Sequence, residues 1–177
     1  MRTIIPLKKR PLDIVIIIFF AVNILFITYI VDFEQIAVPN SVIPGETFTA
    51  YPVWPPAPCV DLVHWWGENF DPVLLARPAW WKATIWLDAL LFGPFYLVAL
   101  FAFLKGKEWI RIPSIIYSAI LFTNVTVILS EEIWGTHASP VLGMVLAANA
   151  AWLVFPFIII ARMYKEHPFT KEPKAAS

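Results

Sequence analysis

The sequence predicts an all-α protein, a bundle of four transmembrane helices with both termini in the cytosol. Length alone would suit one soluble domain, but 59% of the 177 residues are hydrophobic and they gather into long runs. Four runs reach the roughly 20 residues needed to cross about 30 Å of hydrocarbon. The basic residues are one-sided: eleven of the thirteen Lys and Arg fall before the first run, between the second and third, or after the fourth. An even number of crossings and this asymmetry put both ends on the cytosolic side by the positive-inside rule.

The first run covers roughly Asp13–Val31 and follows Arg2, Lys8, Lys9 and Arg10. A basic start before an apolar run also fits a secretory leader. This run is too long for a leader's core, and no small-residue cleavage site follows, so a retained helix is expected. A loop at about 33–82 comes next. It carries Pro39, Pro44, Pro52, Pro55, Pro56 and Pro58, which predict turns and irregular chain rather than a separate domain. Its Trp54, Trp65 and Trp66 suggest a lid packed over the outer mouth of the bundle.

The second run, Ala83–Leu104, is broken by Gly93-Pro94, which predicts a kink. Lys105, Lys107 and Arg111 then lead into Ile112–Ser130. The fourth run, Val141–Ala161, holds Pro156 and should also kink. Arg162, Lys165, Lys171 and Lys174 follow it, while only Arg77 and Lys82 lie on the other side. Trp80, Trp81 and Trp134 should form an outer aromatic belt, with Trp109 at the inner interface. The expected layout is a cytosolic N-terminus over 1–12, a membrane domain over 13–164 and a mobile cytosolic tail over 165–177.

Composition narrows the function. Zero formal net charge implies no broad basic surface for nucleic acid. Cys59 is the lone cysteine, so no internal disulfide forms. His64, His137 and His167 are far apart in sequence, and neither a metal site nor a cofactor is expected.

Two acids stand out because a carboxylate at a helix centre in hydrocarbon costs about 2.5–3.5 kcal/mol even on the lenient insertion scale. Asp32 closes the first run and Asp88 lies five residues into the second, roughly 8 Å deep at about 1.5 Å per residue. On the same reckoning Asn124 lies roughly 9 Å below the outer end of the third run and Asn149 roughly 12 Å into the fourth. One polar side chain per helix in the outer half is the sequence pattern of a buried polar cavity. Tyr117, Asn124 and Glu131 share a face at spacings of seven, widened by Thr123, Thr126 and Ser130. Asn149, Trp152 and Pro156 share another.

Simpler readings stand beside these. Asp32 can reach water at the interface, Asn124 and Asn149 can hold helices together, and Tyr117 and Trp152 can be packing residues. Glu131 and Glu132 are expected in the solvated interface. The Asn124-Val125-Thr126 sequon lies in a span and should be unmodified. Two carboxylates brought together in low dielectric cannot both ionise cheaply and should share a proton. Such a pair can bind a cationic or hydroxyl-bearing ligand, or protonate an alkene as an isomerase or cyclase would.

Asp71-Pro72-Val73-Leu74-Leu75, Pro78-Ala79-Trp80-Trp81-Lys82 and Asp88 resemble the sigma-2 receptor family of EXPERA-domain membrane proteins. Phe103-Leu104-Lys105-Gly106 and the run Trp109-Ile110-Arg111-Ile112-Pro113-Ser114-Ile115-Ile116-Tyr117-Ser118 continue the resemblance. It implies a four-helix fold with a ligand pocket open to the bilayer, usually in the endoplasmic reticulum, that takes sterols and cationic amphiphiles. It also implies that Asp32 and Asp88 are the pocket's two acids. Asn149-Ala150-Ala151-Trp152-Leu153-Val154-Phe155-Pro156 resembles the last-helix motif of emopamil-binding protein, a sterol isomerase of the same superfamily. Two departures from that enzyme are Thr28, where it has histidine, and Leu91, where it has threonine. The stretch between Phe33 and Asp71 is longer than in the sigma-2 relatives.

The expected function is therefore intramembrane binding of a sterol, another polycyclic lipid-like molecule or a cationic amphiphile. Asp32, Asp88, Tyr117, Asn124, Asn149 and Trp152 are the expected ligand-binding residues, with Asp32 the ionised acid and Asp88 its protonated support. Tyr117 and Trp152 would wall a cation. The alternative is a sterol or terpenoid isomerase or cyclase with Asp32 and Asp88 catalytic. Expected partners are the ligand and membrane lipids, with no nucleic acid; a homodimer stays open. The membrane would be the endoplasmic reticulum in a eukaryote and the plasma membrane in a prokaryote, since no clear C-terminal retention signal is present.

Overall fold

A computed structural model describes residues 2–38 and 40–172. Pro39 of the outer loop and Lys174, with the rest of 173–177, lie outside the described residues. Four helices are long and apolar enough to cross a membrane: α1 (Pro11–Ala37), α4 (Ala79–Lys105), α5 (Glu108–Trp134) and α6 (Leu142–Met163). Between α1 and α4 lie α2 (Ala57–Asn69) and α3 (Val73–Ala76). Two short strands, β1 (Thr3–Ile4) and β2 (Thr170–Lys171), pair antiparallel beside the chain ends. The protein is an all-α, four-helix integral membrane protein.

Local chemistry sets the helix ends. Pro11 starts α1, where a missing N–H costs nothing. Gly106, at φ +62°, ends α4 in the left-handed conformation, and the Lys107 N–H caps the Ala102 carbonyl at 2.9 Å. α4 and α5 begin four residues before the apolar runs read from the sequence, and α6 ends two residues after its run.

Two spans are not uniformly α-helical. Asn23–Asp32 of α1 and Asp88–Phe92 of α4 are π-helical, with hydrogen bonds spanning five residues. The second has a visible cause. Pro94 has no N–H for the Leu90 carbonyl, so the ladder shifts and the Gly93 N–H bonds to the Asp88 carbonyl instead. The first contains neither Gly nor Pro, and no local residue accounts for it.

The core between the spans is aromatic. Phe20 meets Phe95, Phe103 and Tyr117 edge-on at ring distances of 5.8, 5.5 and 5.8 Å. Ala99 and Ala102, both fully buried, let α1 and α4 approach closely. Without a hydrophobic drive between helices in lipid, this packing holds the bundle.

Both ends of the bundle are more ordered than the sequence suggests. At the end carrying the termini, Asp13 accepts from Arg10 Nη1 at 2.6 Å and from Arg162 Nε and Nη2 at 2.6 and 2.9 Å. Phe169 is fully buried beneath the two guanidiniums, 5.0 and 5.3 Å from its ring. The tail over 165–172 is therefore a packed clamp rather than a mobile extension, because Phe169 and β2 anchor it.

At the opposite end the Pro-rich loop contains a thirteen-residue helix, α2, which the prolines do not interrupt because they cluster at and before its start. Glu34 accepts from Arg77 Nη2 at 2.6 Å and lies 2.8 Å from His64 Nε2. Arg77, at φ +50°, turns the chain into α4. Trp81 does not join a lipid-facing belt. It is buried and its indole N–H donates to Gln35 Oε1 at 2.8 Å, because the folded loop covers that side of the bundle.

Candidate ligand cavity

A cavity of about 460 Å³ lies between the spans beneath α2, a size suited to a small molecule. Phe26, Leu62, Trp66, Ile85, Leu121 and Val125 are among its apolar walls. Phe26 and Leu62 are also partly exposed, so the cavity reaches the surface beside α1 and α2.

The acids arrive from the two π-helical segments. Steps of five and four residues return to one face when the turn is widened, so Asn23, Thr28 and Asp32 all point inward and are buried. An α-helix would keep Thr28 beside Asp32 but turn Asn23 to the opposite side. On α4, Asp88 opens the other π turn and lies nine residues from the helix start at Ala79, roughly 14 Å at about 1.5 Å per residue.

The carboxyls of Asp32 and Asp88 are in hydrogen-bonding contact. Thr28 Oγ1 donates to Asp88 Oδ1 at 2.5 Å, and Tyr96 Oη to Asp88 Oδ2 at 3.5 Å. Tyr117 Oη donates in turn to Tyr96 Oη at 3.4 Å. Asp32 Oδ2 is buried, and no donor other than the Asp88 carboxyl meets it among the described residues. Gly93 makes this arrangement possible: a Cβ there would lie 2.9 Å from Thr28 Cγ2.

Five of the six residues expected from sequence line the cavity: Asp32, Asp88, Asn124, Asn149 and Trp152. Tyr117 does not. It stands behind Asp88, stacked on Phe95 at 4.4 Å, and reaches the acids only through Tyr96. Trp152 is fixed by its N–H bond to Asn23 Oδ1 at 2.8 Å, and Asn23 Nδ2 binds the Phe19 carbonyl at 2.8 Å. Asn149 donates to the Val145 carbonyl of its own helix at 3.0 Å.

Sequence reasoning missed Asn23, Thr28 as a donor, and Tyr96. An α-helical wheel hides Asn23, which it turns to the side opposite Asp32, and Tyr96 reads as one aromatic among many. Asp71 was missed as well: it is buried and lines the cavity from the loop. Its carboxyl meets that of Glu132, which is 1% exposed and has no other side-chain partner among the described residues. The expectation of a solvated Glu132 fails because Ser139 Oγ ties the following loop to the Phe70 carbonyl at 2.6 Å and closes water out. Burial pushes the Asp71 carboxyl above the usual carboxylate range; bonds from Glu132 and from the Leu74 and Val73 amides pull it back in part. Glu131 pairs with His137 Nδ1 at 2.8 Å on the rim.

Fold and site together define a four-helix membrane protein with a carboxyl-lined cavity between its spans. The family model described as EBP, EXPERA (EXPanded EBP superfamily), matches residues 58–163. The sigma intracellular receptor 2 of Xenopus tropicalis is 30% identical over 159 residues, covering 84% of this chain and 85% of the relative. The Macaca fascicularis protein of the same name is 29% identical over 184 residues, covering 96% and 97%. The human one is 32% identical over 128 residues, covering 64% and 73%. The chain belongs to the EXPERA superfamily and is similar to sigma intracellular receptor 2.

Proposed function

We propose that this protein is a receptor-like binder of a sterol, another polycyclic lipid-like molecule or a cationic amphiphile, with Asp32 and Asp88 as the anchor. One observation carries the reading: the Asp32 and Asp88 carboxyls, brought from two spans into contact, both line the wall of an apolar cavity. A carboxyl pair in so apolar a wall calls for a donor, and a ligand ammonium or hydroxyl supplies one. The likeness to proteins named as receptors supports binding, and their designation as intracellular supports an internal membrane, the endoplasmic reticulum in a eukaryote.

The pair carries one negative charge in this reading. Its donors from Thr28 and Tyr96 favour Asp88 as the ionised member, with Asp32 holding the shared proton. This reverses the roles expected from sequence. The Asn149 and Trp152 motif, with both acids at hand, keeps proton transfer to an alkene as the second reading. Thr28 tells against it: where the isomerase carries an imidazole, this chain has a hydroxyl already donated to Asp88.

Purified protein should bind a hydrophobic amine probe, and Asp88→Asn should weaken that binding by about a hundredfold, the upper range for losing a charge-assisted contact. Unchanged affinity would reject the anchor. Deuterium taken up by a sterol from heavy water, and lost in Asp32→Asn, would instead establish turnover.

A further inference from the structure

The loop segment Tyr51–Pro56 is not used by the cavity. Its polar neighbours are tied back onto α2: Gly45 N donates to Glu68 Oε1 at 3.1 Å, and Tyr51 Oη to Asp61 Oδ1 at 2.7 Å. Phe48 sits edge-on against His64 at 4.7 Å. These ties leave Val53 and Trp54 projecting, and Val53 is fully exposed.

Trp54 projects onto α1. Its indole N–H donates to the Tyr29 main-chain carbonyl at 2.8 Å, and its ring lies 4.8 Å from the Tyr29 ring. Tyr29 belongs to an exposed apolar stripe along α1 formed by Ile18, Val22, Leu25, Tyr29 and Phe33. In a membrane-spanning placement of α1 the part of that stripe within the apolar run is open to lipid. Tyr29 also lies within the apolar run, two residues before its end at Val31 and eight residues, roughly 12 Å at about 1.5 Å per residue, from the helix end at Ala37. The Trp54 ring therefore continues a surface already committed to hydrocarbon.

The sequence of the segment suits that setting. In Pro52-Val53-Trp54-Pro55-Pro56 only Val53 and Trp54 carry a backbone N–H. Hydrocarbon penalises each unpaired backbone N–H and C=O, and proline removes the donor half of that cost. The one side-chain donor, the Trp54 indole, is already paired.

We propose that Pro52–Pro56 is a membrane-inserted wedge: the loop dips its Val53-Trp54 tip into the lipid leaflet against α1, and lipid acyl chains cover it. The inference is independent of what the cavity binds.

The test is nitroxide accessibility in the full chain, reconstituted in phosphatidylcholine nanodiscs with one copy per disc. A label at Val53→Cys in a Cys59→Ser background is compared with Leu25→Cys on the lipid-facing stripe and Glu46→Cys on the exposed loop. The wedge predicts relaxation by oxygen, which partitions into lipid, to exceed relaxation by a water-soluble nickel chelate. That ratio should be close to the Leu25→Cys value and several-fold above the Glu46→Cys value. Dominant relaxation by the nickel chelate would place the tip in water and overturn the proposal. Low accessibility to both reagents would mean a protein contact, and would overturn it equally.

Discussion

The smallest unit that decides what the cavity can do is the Thr28 hydroxyl. At 2.5 Å from Asp88 Oδ1 it is the shortest donor to the pair, and hydrogen bonds to charged groups contribute about 1.5–3 kcal/mol. Thr28→Val keeps the shape and removes the donor. Affinity for a hydrophobic amine should fall roughly tenfold, read by competition binding, while the helical circular dichroism stays as in wild type. Equal affinity would mean that Thr28 does not tune the pair. Asp71 gives a second residue-level expectation, outside the spans. Burial raises its carboxyl above the value of the unfolded chain, so the folded protein holds that proton more tightly. Its contribution is then complete below about pH 3.9, the ordinary aspartate value, and is lost as pH rises through the folded value. Thermal unfolding should show stability declining across that interval, with a shallower decline in Asp71→Asn. A slope unaltered by the substitution would remove Asp71 as the source.

At the scale of elements, the crossing of α1 and α4 is what joins the acids. It rests on two π-helical segments and on Gly93, whose missing side chain admits Thr28. Gly93→Val should push α1 and α4 apart, leaving four helices by circular dichroism but no amine binding. Retained binding would show that the crossing tolerates the extra bulk. The four spans were legible in the sequence because apolar length and charge asymmetry report on lipid directly. The break in the α4 ladder was legible too, since Pro94 forces a response there. The π segment of α1 was not: nothing between Asn23 and Asp32 breaks an α-helix by itself, and the wide turn places three polar side chains on one face. The loop helix α2 was hidden by the surrounding prolines, although these cluster at its start, where proline is tolerated.

Over the whole molecule, each end of the bundle is closed by charge buried in protein. Asp13 is held by Arg10 and Arg162, while Glu34 is held by Arg77 and His64. These clusters were not legible because their members are up to 149 residues apart, and each charge alone reads as surface. The site was legible where the chemistry was anomalous, as with Asp32 and Asp88. It was not legible where it was ordinary, as with Asn23, Tyr96 and Glu132. The two clamps fix the helices around a cavity that the side chains leave unfilled.

The most direct measurement of the central claim is mass spectrometry of the lipids that copurify with wild-type protein and with Asp88→Asn. A sterol, polycyclic lipid or amphiphilic amine should be enriched in the wild type over bulk membrane and depleted in the variant. Identical lipid profiles, with nothing enriched over the surrounding membrane, would contradict a cavity built to hold a ligand on its paired carboxyls.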